Sequence, residues 1–166
     1  MNKQILIVNG MARSGKDTFA EYLGDITSVK KYSSIDRVKA IARLCGWRGD
    51  KTEKDRKFLS DLKVLTSEYS DMPFKDITDM VRTFNNPANH SKVLIIDIRE
   101  PQEIERAKRD FGAKTVLIKN DRVEMITSNM ADAGVFDYEY DYVIENNGSL
   151  EEFRETVYKF WREVLR

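Results

Sequence analysis

The stretch Gly10-Met11-Ala12-Arg13-Ser14-Gly15-Lys16-Asp17-Thr18 constrains this chain more than any other. Before it lies a short continuous apolar run, residues 3–9 (KQILIVN), which suits a strand buried on both faces. After it, Phe19, Leu23 and Ile26 recur at helical spacing. A strand, G-x-x-x-x-G-K and a helix in that order make the pattern of a P-loop. Glycine at both ends lets the backbone wrap phosphate oxygens, with successive N–H groups turned inward toward the positive end of the helix. The candidate nucleotide-binding residues are therefore Gly10, Ala12, Arg13, Ser14, Gly15, Lys16, Asp17 and Thr18. Lys16 suits the β- and γ-phosphates, where it offsets charge that moves during phosphoryl transfer. Arg13 can lean over the phosphates, and Thr18 can bond an α-phosphate from the first helical turn.

Asp17 departs from the pattern, because a Ser or Thr hydroxyl usually stands there as a Mg²⁺ ligand. A carboxylate at this place can hold Mg²⁺ directly, hold it through water, or accept a proton from a substrate hydroxyl. A second strand, residues 92–99 (KVLIIDIR), ends in Asp97-Ile98-Arg99. Its aspartate occupies the place of a group that holds the Mg²⁺ hydration shell. Strand alternation sends Asp97 and Arg99 to one side, and the planar guanidinium of Arg99 suits a phosphate or carboxylate.

Further apolar runs at 113–119 and 141–145, with a weaker one at 29–34, complete five expected strands. Helical stripes fill the intervals. Ile35, Val38, Ile41 and Cys45 form one, with Asp36 as its cap, and this reading puts Cys45 in the core. Phe58, Leu62, Leu65 and Tyr69 form another on a long charged helix over about 53–70. A helix over about 74–84 follows. Pro101 opens the next helix and Gly112 closes it. The last carries Leu150, Phe153, Val157, Phe160 and Val164, with Trp161 also in the core, and begins with a Ser149/Glu152 capping box. Short apolar strands alternating with amphipathic helices predict a parallel sheet covered on both faces, with ligands at the carboxyl ends of its strands.

The remaining polar residues divide into site and surface. Asp36, Arg37 and Lys39, just after the second strand, stand where the acceptor of a transferred group could sit. Arg56 is a candidate phosphate ligand, whereas Lys54 and Lys57 read as a solvated face. Residues 120–140 break regular periodicity, which suits a short closing lid, with Arg122 meeting the transferring phosphoryl group. His90 reads as a surface residue. Asn146-Asn147-Gly148 fits either backbone contact with adenine or simple entry to the last helix.

Composition narrows the partners. Twenty-eight basic residues balance 28 acidic ones, which gives no support to nucleic acid or an anionic membrane as partner. One cysteine excludes an internal disulfide framework and a cysteine-based zinc site. No run of 18 apolar residues occurs and the first residues lack a signal-peptide pattern, so a cytoplasmic location is expected. With no repeat and no Pro/Gly-rich linker, residues 1–166 read as a single domain with its lid at 120–140.

Together GMARSGKDT, the IDIR strand end and the closing DYVIENNGSLEEF resemble the deoxynucleoside monophosphate kinases of phage and bacteria. These belong to the NMP-kinase-like group of P-loop kinases. Animal-type phosphomevalonate kinases are related and share the R-x-S-G-K-D loop and the D-x-R strand end. The resemblance implies a three-layer α/β fold with a five-stranded parallel sheet in the order 2-3-1-4-5. It also implies ATP and Mg²⁺, the metal on Asp17 and Asp97, directly or through water. The catalytic residues would be Lys16, Asp17, Arg99 and Arg122, and the acceptor would be held by Asp36, Lys39, Arg56, Asp97 and Arg99. Where the family usually has A-D-P-[IL]-K, this chain has Ser34-Ile35-Asp36-Arg37-Val38-Lys39, and Arg122 is the one basic residue in 120–140.

The leading expectation is an ATP- and Mg²⁺-dependent phosphotransferase acting on a nucleoside monophosphate or similar small phosphorylated metabolite, as a monomer or homodimer. The alternative is an ATP-binding regulatory or interaction module of the same fold without an acceptor. A GTPase is disfavoured because no N-K-x-D guanine motif is present.

Overall fold

The computed structural model describes residues 3–123 and 134–166. Five parallel strands form one sheet: β1 (Gln4–Asn9), β2 (Val29–Ser33), β3 (Val93–Asp97), β4 (Lys114–Lys119) and β5 (Tyr142–Glu145). Their spatial order is β2-β3-β1-β4-β5, the order that the resemblance implies. Between them run helices α1 (Lys16–Gly24), α2 (Asp36–Leu44), α3 (Glu53–Ser70), α4 (Met72–Asn85) and α5 (Pro101–Phe111). After β5 comes α6 (Leu150–Phe160), continued by a π-helical turn at Trp161–Leu165.

Strand alternation builds two cores. Leu6 and Val8 of β1 join Ile95 and Ile118 against Phe19 and Leu23 of α1 and Phe153 and Val157 of α6. Ile5 and Ile7 join Leu94 and Ile96 on the other face, against Phe74 and Ile77 of α4 and Ile104 of α5. Burial on both faces is why β1, β3 and β4 read as continuous apolar runs, whereas the edge strands β2 and β5 are only partly buried. Gln4 pairs with Val93 and Val8 with Val116, so the central strand shares its ladder with β3 and β4. The carboxyl ends of β1 and β3 are also clamped by Asn9, whose buried side-chain amide donates to the Ile98 carbonyl at 2.8 Å.

Helix ends follow local chemistry. Ser149 and Glu152 form the expected capping box on α6, and Thr52 with Asp55 forms another on α3. Gly112 ends α5 in a left-handed conformation (φ 63°). At α2 the N-cap is Ile35, not Asp36. Asp36 is the first helical residue, and its carboxylate accepts from the Ser33 N–H at 3.0 Å.

Three packing expectations require correction. Leu150, the first residue of α6, is 68% exposed, and the buried stripe of that helix is Phe153, Val157 and Phe160. Cys45 is exposed, because α2 ends at Leu44 and only Val38 and Ala42 of that helix are buried. On α3 the apolar stripe does not face the core: Leu65 is 62% exposed and Tyr69 88%. The buried side chain of α3 is Lys63, 9% exposed, because two glutamates at the start of α5 receive its ammonium group. Trp161 is buried and His90 exposed, as the sequence predicts. Among the described residues, no helix is long and apolar enough to cross a membrane.

Candidate active site at the carboxyl ends of the strands

The Gly10–Gly15 loop leaves β1 and turns directly into α1. Its conformation depends on glycine at both ends. Gly10 has φ 153°, and a Cβ there would lie 2.4 Å from the Ile118 carbonyl oxygen. Gly15 has φ 108°, and a Cβ there would lie 2.5 Å from the Asn146 side-chain nitrogen. Arg13, at φ 65°, takes a left-handed conformation without being glycine, so the loop holds it at some cost in strain. Ser14 N–H donates to the Met11 carbonyl at 3.1 Å and closes the turn. The Ser14 hydroxyl is buried and has no hydrogen-bond partner among the described residues. Lys16 arches back over the loop, and its Nζ donates to the carbonyls of Gly10 at 2.6 Å and Met11 at 2.8 Å.

Charge gathers next to this loop. Lys31, which projects from β2, meets the Asp17 carboxylate at 2.5 Å. The Lys31 ammonium group, by hydrogen bond and by charge, holds the Asp17 carboxyl below its usual value. Burial pushes the Asp97 carboxyl up, against the opposing pull of Lys31 and Lys16. Burial alone would lower the Lys31 ammonium, but Asp17 and then Asp97 outweigh it and raise it. Two lysines and two aspartates therefore share one electrostatic environment at the ends of β1, β2 and β3. Lys31 was not foreseen as a site residue. No local signal marks it: Lys31 is an exposed residue of β2, and only the tertiary fold sets it beside Asp17.

The other expected residues divide. Ser33 pairs with Asp97 in the β2–β3 register, and Ser34 N–H donates to the Asp97 carbonyl at 3.1 Å, which brings the start of α2 beside Asp97. Asp36 and Lys39 lie 4.0 Å apart on that helix. Arg37 turns away to Asp76 of α4 at 3.2 Å. Strand β3 ends at Asp97, so exposed Arg99 stands in the connection before α5. Arg56 is exposed on α3, seven residues before Lys63 and so on the same side of that helix. Arg122 donates to the Gly148 carbonyl at 2.7 Å, which puts its guanidinium at the exit of β5. Of the expected lid, residues 124–133 lie outside the described residues, and Met125 and Ile126 with them.

The exit of β5 does more than open a helix. The Asn146 side-chain amide donates to the Ser14 carbonyl at 2.9 Å, and Asn147 exchanges two hydrogen bonds of 2.8 Å with Asp121. The fold and this site define the P-loop kinase class, with the nucleotide-kinase arrangement of strands.

Comparison with known proteins goes one step further. The family model of deoxynucleotide monophosphate kinase matches residues 69–157, just over half of the chain, and the chain belongs to that family. No curated protein sequence matches it. Dephospho-CoA kinase from Campylobacter jejuni is similar in structure at 16% identity and TM-score 0.57, over 98% of each chain. A thymidylate kinase from Candida albicans is similar at 14% identity and TM-score 0.56, over 97% of this chain and 92% of that one. A sugar kinase from Janibacter sp. matches at 13% identity and TM-score 0.57, over 98% and 96%. At these identities the likeness speaks for the fold.

Proposed function

We propose that this kinase transfers the γ-phosphoryl group of ATP to a deoxynucleoside monophosphate, with Mg²⁺, within one domain that carries a lid at 120–140. The observation that supports this most is the glycine-framed Gly10–Gly15 loop with Lys16, Lys31, Asp17 and Asp97 gathered beside it. Phosphoryl transfer asks little covalent chemistry of a protein. It needs the two substrates aligned and the charge spread over the transferring oxygens offset.

Residues Gly10–Thr18 would hold the donor phosphates, the orphaned Ser14 hydroxyl and the start of α1 offering hydrogen-bond donors. Lys16 would move from the loop carbonyls to the β- and γ-phosphates. Asp17 and Asp97 fit Mg²⁺, a hard ion that takes one or two carboxylates besides phosphate oxygens and water. Bound there, the ion would neutralise phosphate charge. Lys31 keeps Asp17 ionised and oriented. Arg99 and Arg56 would hold the acceptor phosphate, with Asp36, Lys39 and Asp97 completing the acceptor side. Arg122 is the residue of the 120–140 segment that would meet the transferring group.

A coupled ADP-release assay against the deoxynucleoside and ribonucleoside monophosphates and phosphomevalonate tests this reading. The expected result is turnover with at least one deoxynucleoside monophosphate, lost in Lys16→Ala. ADP at background level with every acceptor would overturn it.

A further inference from the structure

We propose that Asn146 is a positioning residue for the donor phosphates, acting through the Ser14–Gly15 peptide. The inference rests on the reading of Gly10–Thr18 as the phosphate loop and adds to it a residue 132 positions away in the chain.

The contact is specific and anchored on both sides. Asn146 Nδ2 donates to the Ser14 carbonyl at 2.9 Å, while the Asn146 backbone N–H donates to the Lys119 carbonyl at 2.7 Å. The amide therefore reaches the loop from a backbone already fixed to the end of β4. Asn147 and Gly148 are held in turn by Asp121 and Arg122, so the whole exit of β5 forms a clip. Gly15 makes the approach possible, because any Cβ there would collide with this nitrogen.

Peptide geometry gives the contact its consequence. In a planar trans peptide the carbonyl and the following N–H point in opposite directions. With the Ser14 oxygen drawn toward Asn146, the Gly15 N–H is turned away from β5, to the side that a phosphate chain along the loop would occupy. Without that hydrogen bond the peptide is free to rotate, and a bound phosphate would have to hold it in place at its own expense. Asn146 thus acts on the ligand without touching it.

The test compares the wild-type chain with Asn146→Leu, which keeps volume and charge but lacks the donor. Calorimetry would measure affinity for Mg²⁺·ATP and for inorganic tripolyphosphate, and ¹⁵N NMR would follow the Gly15 amide. A charge-assisted hydrogen bond lost or misaligned should weaken both ligands about tenfold to a hundredfold. The downfield shift of the Gly15 amide on adding tripolyphosphate should need about tenfold to a hundredfold more ligand to reach its plateau, with the melting temperature of the unliganded protein unchanged. Wild-type affinity in Asn146→Leu would overturn the inference and leave the phosphate-loop reading standing. No binding by the wild-type chain would overturn both. If Asn146→Leu also lowers the unliganded melting temperature, Asn146→Ala decides. A Gly15 shift that saturates at the wild-type ligand concentration then overturns the inference, and one that needs at least about tenfold more ligand supports it.

Discussion

Lys63 lies 2.5 Å from Glu100, the residue that follows Arg99, and its ammonium group also meets Glu103 at 3.0 Å. It is the one charged side chain buried among the described residues. Burial pushes both carboxyls up, yet Lys63 holds Glu100 below the usual range, while Glu103, beside the charge of Glu100, stays raised. The cluster fastens α3, which carries Arg56, to the start of α5 immediately beyond Arg99.

Lys63→Met should therefore act on both stability and the acceptor side. Removing one partner of a buried ion pair costs about 3–5 kcal/mol. Glu100 is 43% exposed, so about 2 kcal/mol is expected here, read from urea unfolding. The KM for the acceptor should rise severalfold while affinity for ATP stays unchanged, because the cluster joins α3 to the start of α5, whereas the Gly10–Gly15 loop runs from β1 into α1.

Gly15→Ala should abolish nucleotide binding and destabilise the fold. The left-handed φ and the 2.5 Å collision with Asn146 act together, and backbone strain of this kind costs about 1–3 kcal/mol. Calorimetry with ATP and a thermal melt check the two effects. The same substitution at Gly24, whose Cβ would meet nothing within 4 Å, is the control and should leave both near wild type.

Asp141 carries a pH dependence whose sign follows from its partners. Burial raises its carboxyl, but Lys108 at 2.8 Å and the N–H and hydroxyl of Thr115 at 2.8 and 2.9 Å outweigh it and hold it below the usual 3.8. A depressed carboxyl contributes stability above the unfolded value and loses it as pH falls through the lower folded value. Asp141→Asn should cost about 1–2 kcal/mol at neutral pH. The difference from wild type should shrink below pH 3.8 in acid titrations followed by circular dichroism.

Arg99→Ala should raise the acceptor KM by tenfold or more and leave the ATP dissociation constant near wild type. Arg99→Lys should recover only part of the loss, since an ammonium group lacks the planar fork that grips two phosphate oxygens. Steady-state kinetics with the best acceptor, alongside ATP calorimetry, separates the two effects.

Much of the architecture is legible in the chain itself. The apolar runs of β1, β3 and β4, the Gly10–Lys16 spacing, Pro101 and Gly112 at the ends of α5, and Ser149 with Glu152 are local signals whose cause lies within a few residues. Burial on both sheet faces writes itself as unbroken hydrophobic sequence, and a tight phosphate-type turn writes itself as glycine. The α3 stripe misleads because periodicity marks an amphipathic helix without saying which face meets the core. There a buried lysine with two glutamates displaces Leu65 and Tyr69 from the interior.

By itself the sequence determined the strand-loop-helix order, the parallel sheet and a loop framed by glycine at both ends, because propensity, spacing and glycine geometry are properties of neighbouring residues. Only the tertiary structure decided that Lys31 meets Asp17, that Asn146 grips Ser14, that Arg122 sits at Gly148 and that Lys63 is buried. Each of these joins segments far apart in the chain, and their charges and hydrogen-bond groups acquire partners only once the sheet has set their distances.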